Sequence, residues 1–509
     1  MEAMNHYLLE SESLLKLEIL TALFKNQKRG IGFPALAGEI NYNAKSTRLL
    51  LPELIRDIRT YGLEKEVHIE VKDFTIYSKF SHHYNPAILE CHYVQQSVGF
   101  CLLEEILLGK FQSVNIFADK HNWSRSYVYR RMDILKLLLK KYHLTLDFMS
   151  SSLIKGEEGQ IRYFYFCFYW TNYQESHPAL GMMAPDVKMY IERLMKKNEI
   201  KDYFFAHRLH LLIQIQRWRL RRKQVISAHS FEIIDNPLFS REEFHRIFFE
   251  PIMLQTQLST QEQEKEEAFC YFLMSTTMMY ESKNELAVPV VFRLIKSEPA
   301  IVGWIEEFQK FFELELDLIE TGEIVTNLYY IHQLGQHLKG DFDGYFHETK
   351  VTIFKTQHAT MYDLLIKYFV RLTSLECGFF AQFKERNKYI FLCYTMLIVK
   401  ILNAHRPKLK AILLSKTNSY HSQMNHEKIQ AIYGHMLEMT QELTASVDVI
   451  ITDYPLSDFP EEARVFNMNT RTSFYEGSNF KEFLAEAALE KYISLSKDNK
   501  NIKNWIEYR

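Results

Sequence analysis

SVNIFADKHNWSRSYVYRRMDILKLLLKKYH, residues 113–143, spaces its small, turn-forming and apolar residues as two helices crossing at a tight turn. Ala118 is small, as a close helix crossing requires. Asn122, four residues on, tolerates the left-handed backbone of a turn. Val128, ten residues after the alanine, holds the second helix against the first. Ser124 or Ser126 is placed to cap that helix by accepting from its free N–H groups. Its exposed positions carry Arg125, Tyr127, Tyr129, Arg130 and Arg131. Such a face suits the major groove, with arginines for phosphates and guanines and tyrosine hydroxyls for phosphate oxygens. Between Asp119 and His143 there are seven Lys or Arg and two acids.

The same spacing occurs 81 residues earlier in Ala37, Asn41 and Thr47. The helix after that turn carries Lys45, Ser46, Thr47 and Arg48, then Leu50, Leu54 and Ile58. Two matches, each with basic residues on the second helix, predict a pair of helix-turn-helix DNA readers, the second being the stronger. Ser13 to Asn26 reads as an amphipathic helix bracing the first. His68 to Phe80 alternates polar and apolar residues, as two wing strands do.

With 509 residues the chain has room for roughly three to five domains. Apolar residues make up 47% and charged residues 24%, enough for each domain to bury a core. A net charge of −2 confines any nucleic-acid site to a local basic patch, which the N-terminal third supplies. The six cysteines are scattered without CxxC spacing, which fits reduced thiols in a cytoplasm better than a disulfide framework. No export signal and no transmembrane run is expected.

Pro86 to Gly109 is predicted helical, with Ile88, Val94, Val98, Leu102 and Ile106 on one face. Gly156 to Arg162 reads as a charged hairpin or helix cap, and the aromatic run Tyr163 to Trp170 as a buried helix or strand. Periodicity leaves both alternatives open. From Asn172 to about Ala404 the pattern is helical, with loop-like joints at Gln261 to Glu267 and Glu285 to Pro289. Lys410 to Ser415, Val447 to Tyr454 and Ala463 to Met468 are short apolar runs bounded by turns, with a helical stretch from His426 to Glu442 between the first two. They predict a small α/β unit with a parallel sheet.

This order of elements resembles the Mga family, transcriptional regulators of Gram-positive bacteria that carry phosphotransferase-system regulation domains. The resemblance rests on residues 117–146 and on IKGEEGQIRYFYFCFYW, residues 154–170, and spans the chain more loosely elsewhere. It implies a mainly α, multidomain protein. The divisions expected are a first winged helix-turn-helix at 1–84, a second with its wing at 85–171, helical regulation domains at 172–288 and 289–404, and an enzyme IIB-like α/β domain at 405–509. It also implies a non-enzymatic, cytoplasmic, DNA-binding activator. Promoter DNA, the sugar-system phosphocarrier protein and a second copy of the chain are its implied partners, with no membrane and no cofactor.

In related regulation domains, histidines at the place of His207, His210 and His332 accept a phosphoryl group. An imidazole nitrogen is a competent nucleophile near pH 7, and the product adds a large negative charge. Arg208 to Lys223 holds six Lys or Arg and no acid, partners for a phosphohistidine. His337 competes with His332. Enzyme IIB carriers use a cysteine just after the first strand. Here that loop is Ser415 to Tyr420, and no cysteine follows Cys393, so assembly is the expected role.

No glycine-rich phosphate loop and no HExxH occurs. The spacing of His82, His83, Cys91 and His92 fits no structural zinc pattern, and Asp341 to Gly344 reads as a turn. Besides a transcription regulator, the sequence leaves open a phosphotransferase-linked scaffold whose helix-turn-helices make protein contacts. An RNA-binding antiterminator fits less well, since those begin with a small β-domain.

Overall fold

Asn41 and Asn122 both adopt the left-handed backbone, at φ 50° and 56°, and each turns one helix sharply into the next. The computed structural model describes residues 4–27, 29–148, 153–172, 185–197, 200, 204–226, 231–250, 258–277, 288–340, 359–375, 379–380, 388–405, 408–416, 419–456, 459–468 and 478–495. It is mainly helical with a small sheet component, and forms two compact units, 1–278 with 336–348 and 279–335 with 349–509.

The first unit opens with α1 (Met4–Leu8) and α2 (Ser11–Lys25), followed by β1 (Ile31–Gly32), α3 (Phe33–Glu39) and α4 (Ala44–Thr60). A hairpin of β2 (Val67–Lys72) and β3 (Thr75–Phe80) completes this part, with β3 between β1 and β2. Lys72 faces Thr75, so Asp73 and Phe74 alone make the turn, at φ 47° and 63°. Two-residue hairpin turns of this hand favour Asn-Gly or Asp-Gly. A phenylalanine at the second position costs on the order of 1–2 kcal/mol.

Next come α5 (Ala87–Gln96), α6 (Val98–Leu108), α7 (Val114–Lys120) and α8 (Arg125–Lys141). The stretch expected as one helix from Pro86 to Gly109 is two, because Ser97 is extended and accepts from the Phe100 amide as the cap of α6. Two short antiparallel strands, β4 (Thr145–Leu146) and β5 (Ile154–Lys155), follow α8. The aromatic run lies in a helix, α9 (Glu158–Thr171), with every residue from Glu158 to Tyr169 buried.

Helices α10 (Pro185–Lys197), α11 (Phe205–Arg221), α12 (Arg241–Phe244) and α13 (Thr260–Thr276) complete the main run of the first unit. The acidic stretch Gln261 to Glu267 is not a joint. Ser259 and Glu262 form a reciprocal capping box that starts α13 there. Glu266 and Glu267 are buried, with Glu266 on Arg162 and Glu267 against His245.

The second unit contains α14 (Val288–Ser297), α15 (Ala300–Phe312), most of α16 (Leu318–His337), α17 (Ala359–Ser374) and α18 (Lys388–His405). Buried Trp304 stacks on Phe308, and its carbonyl accepts from the Tyr368 hydroxyl at 2.9 Å. Residues 285–287, 341–344 and 407 lie outside the described residues.

The chain then enters β6 (Leu409–Leu414), α19 (Ser419–Tyr433), β7 (Leu437–Thr440), β8 (Val449–Thr452), β9 (Arg464–Asn467) and α20 (Ser478–Leu495). The sheet is wholly parallel in the order β7-β6-β8-β9. Four strands form where three apolar runs were expected. The predicted helix 426–442 ends at Tyr433, and Leu437, fully buried, begins a strand paired to Leu409. Leu409, Ala411, Val449 and Ile451 pack on Ile429, Phe480, Leu484 and Ala488 on one face. Ile412, Val447, Ile450 and Ala463 pack together on the other.

Candidate DNA interface

The two helix-turn-helices share one layout. Helices α3 and α7 are each seven residues long, α4 and α8 each seventeen, and the second pair repeats the first at an offset of 81. Asn43 caps α4 by accepting from the Ser46 amide at 2.7 Å. Ser124 caps α8 by accepting from Tyr127 at 3.3 Å. Thr47 and Val128 are fully buried, and Ala37 and Ala118 let the paired helices meet closely.

Different polar braces hold each pair in place. In the first, Lys16 of α2 ion-pairs Glu53 and Asp57 of α4 at 3.1 Å each, and the Tyr93 hydroxyl donates to Asp57 at 2.6 Å. Burial would lower the Lys16 pKa, but its carboxylate partners outweigh that and raise it. In the second, Glu105 of α6 accepts from Lys120 at 2.5 Å and lies 3.1 Å from His121, whose ring stacks on Trp123.

The predicted contact residues divide sharply. Ser124, Arg125, Ser126, Tyr129 and Arg130 are exposed along the start of α8, and the Arg130 guanidinium lies over the Tyr127 ring. Half-buried Tyr127 donates its hydroxyl proton to Glu10. Arg131 does not belong to this face. It is 6% exposed, and its Nη2 donates to the carbonyl oxygens of Tyr7, Leu8 and Leu9 at 2.8, 2.7 and 3.1 Å. Those carbonyls end α1, so Arg131 caps that helix and is not available to a phosphate. In the first helix-turn-helix Lys45 and Arg48 are exposed and Ser46 is half-buried. Thr47 is inside, its hydroxyl donating to the Asn43 carbonyl at 3.0 Å, so its role is packing.

Sequence reading missed Arg56 and Arg59. With Arg48 they line a groove along α4, closed by Phe33, Leu51, Pro52, Ile55 and Val71 of the hairpin. The arginine spacing of eight and eleven residues along one helix was the available signal.

The segment Gly156 to Arg162 holds a buried charge cluster. Arg162 is fully buried, donates to Glu158 at 2.8 Å and pairs with Glu266. Arg219 also grips Glu158, at 2.9 and 2.6 Å. Burial raises the Glu158 pKa, but the Arg219 hydrogen bond and the two guanidinium charges outweigh it and hold the carboxyl below its usual range. Two of the six cations from Arg208 to Lys223 are therefore committed to the interior: Arg219 here, and Arg208 buried over Trp170.

Residues 87–169 match the Mga helix-turn-helix domain. This Mga-type domain runs from α5 into α9, so it includes the exposed face of α8 and the buried charge pair Glu158–Arg162. It marks the chain as carrying the DNA-binding part of a transcription regulator. No curated protein shows significant similarity to the chain. No helix among the described residues is long and apolar enough to cross a membrane.

The candidate histidines are on α11 and α16. His207 is half-buried. His210 is 6% exposed, and burial, helped by Arg217 and His207, lowers its pKa to about 4. His332 is fully buried, its Nε2 is 2.5 Å from the Tyr394 hydroxyl, and burial lowers its pKa to about 3. Both rings are therefore buried, whereas His207 is partly open to solvent. His337 is exposed, its ring against those of Phe231 and Phe272 at 5.8 and 5.4 Å.

Proposed function

We propose that this chain is a cytoplasmic transcription regulator, acting as an activator. On this reading it binds promoter DNA through both helix-turn-helices. The observation that carries it is the Mga helix-turn-helix match over a helix whose exposed start presents Arg125, Tyr129 and Arg130. An arginine and tyrosine face of this kind combines phosphate anchoring with base contact. Regulation domains at 172–288 and 289–404 tune the activity through phosphorylation by a phosphocarrier protein. The acceptor is His207, the one of the three candidate rings that is partly open to solvent. Residues 405–509 form an enzyme IIB-like assembly domain that closes a homodimer. Its parallel sheet has β7 and β9 at its edges, and two-fold dimers are the commonest soluble assembly.

Selection of duplexes from a random DNA pool by the full chain tests the core of this reading. Enrichment of a common site, with affinity falling steeply as salt rises, supports it. A chain that enriches no duplex is a scaffold whose helix-turn-helices meet protein. Deletion of residues 407–509 should lower the sedimentation mass to that of a monomer. A truncated chain that stays dimeric places the contact elsewhere.

A further inference from the structure

We propose that Phe74, at the tip of the first wing, is a wedge that enters the minor groove of duplex DNA and partly unstacks one base step. This rests on the DNA-binding reading above and names how the first reader engages its site. Phe74 is 77% exposed, more than any other large hydrophobic among the described residues. It also sits in the left-handed backbone, where glycine would serve the turn better. The fold thus keeps an aromatic ring in water at a position where the turn itself disfavours it. It is the strained backbone under an exposed ring, rather than exposure alone, that points to a function for Phe74.

The hairpin that presents the ring is well anchored. Its two strands pair over six residues each, and β1 adds a third strand. The Ser78 hydroxyl donates to the Leu23 carbonyl at 2.9 Å, and Phe80 meets Phe24 edge-on. A wedge needs this rigidity, because a floppy tip would lose its ordering entropy on insertion.

Charge selects the partner. The groove between α4 and the hairpin is lined by Arg48, Arg56 and Arg59 with apolar residues and no acid. At the tip Lys72 pairs with Glu70 at 2.9 Å and Asp73 puts one acid beside the ring, so the cations that would hold a polyanion are the arginines across the groove from Val71. A polyanion beside a single exposed ring fits this surface, and phenylalanine is among the side chains that part base steps from the minor groove. The proposal places α4 in the major groove and the hairpin tip, which lines the same groove of the protein through Val71, in the neighbouring minor groove.

The test uses the full chain and a duplex selected by it from a random pool, with 2-aminopurine at successive steps and a dye at each end. The wild-type chain should brighten one 2-aminopurine position and shorten the end-to-end distance. Phe74→Gly should abolish both signals and weaken binding on the order of tenfold. Its melting temperature should stay level or rise, since glycine relieves the turn. Phe74→Trp should keep the unstacking signal. If no duplex is selected, the DNA-binding reading fails. If Phe74→Gly binds and unstacks as the wild type does, the wedge fails while that reading stands. If Phe74→Gly lowers the melting temperature, the ring is packing and the wedge is overturned. If DNA signals persist but transcription with purified polymerase is lost, the tip meets polymerase, which also overturns it.

Discussion

Gln160 and Lys339, 179 residues apart in sequence, exchange two hydrogen bonds. The Gln160 amide donates to the Lys339 carbonyl at 2.7 Å, and the Lys339 backbone N–H donates to Gln160 Oε1 at 2.8 Å. The neighbouring Gly340 lies so close under Tyr142, which caps α8, that a Cβ there would meet the ring at 2.3 Å. Lys339 and Gly340 are thereby strapped to the first turn of α9 and to the end of α8. Gln160→Ala should cost about 1–3 kcal/mol and speed amide exchange between His337 and Gly340. Unchanged exchange there would show that the two bonds hold nothing.

Adjacent arginines on α8 should behave in opposite ways. Arg130→Ala should leave the melting temperature unchanged and flatten the salt dependence of DNA binding by about one unit. Arg131→Ala removes three hydrogen bonds to the end of α1 and should cost about 2–4 kcal/mol. Thermal melts and salt titrations of the two variants separate the roles. A melting loss at Arg130, or none at Arg131, reverses the assignment.

The cluster around Arg162 should tolerate no single truncation. Arg162→Ala leaves Glu266 and Glu158 inside without their shared cation, a loss of about 3–5 kcal/mol. Arg162→Lys should recover only part, because one ammonium cannot reproduce a forked guanidinium between two carboxylates. Denaturant titration ranks the variants, and a stable Arg162→Ala protein would refute the role given to this cluster.

Acid should weaken the fold through His210 and His332. Burial holds their folded pKa values at about 4 and about 3, below the ordinary 6.5. Between those limits the unfolded chain takes up protons that the folded chain refuses. Their stabilising effect is therefore complete above about pH 6.5 and declines as pH falls. Each histidine contributes a slope of up to about 1.4 kcal/mol per pH unit. Melting curves from pH 7 to pH 5 should fall less steeply in His210→Gln and His332→Gln. An unaltered slope means the rings are open to solvent.

What could be read from sequence was local. Ala118, Asn122 and Val128 lie within eleven residues, and their spacing reports directly on a helix crossing and its turn. Arg131 misled because its exposure depends on α1, more than 120 residues away, and one-dimensional periodicity cannot register a distant carbonyl. Strand β7 was hidden because four residues after a helix carry too little alternation to announce a change of period. The acids of α13 looked like a loop because their cations, Arg162 among them, come from other helices. Phe74 lay in the wing pattern unremarked, since alternation places a residue on a face but does not show that a ring is left in water.

The Arg131 clamp also orders events during synthesis. Helix α1 leaves the ribosome well before α8, yet the guanidinium that binds its last carbonyls arrives only with residue 131. The first winged unit can close from contacts among α2, α3, α4 and its own hairpin while α1 is still without its receptor. The second helix-turn-helix then recruits that older segment to finish its own surface. Translation pauses before and after residue 131 would therefore differ in what they leave exposed to proteases: α1 in the first case and not in the second.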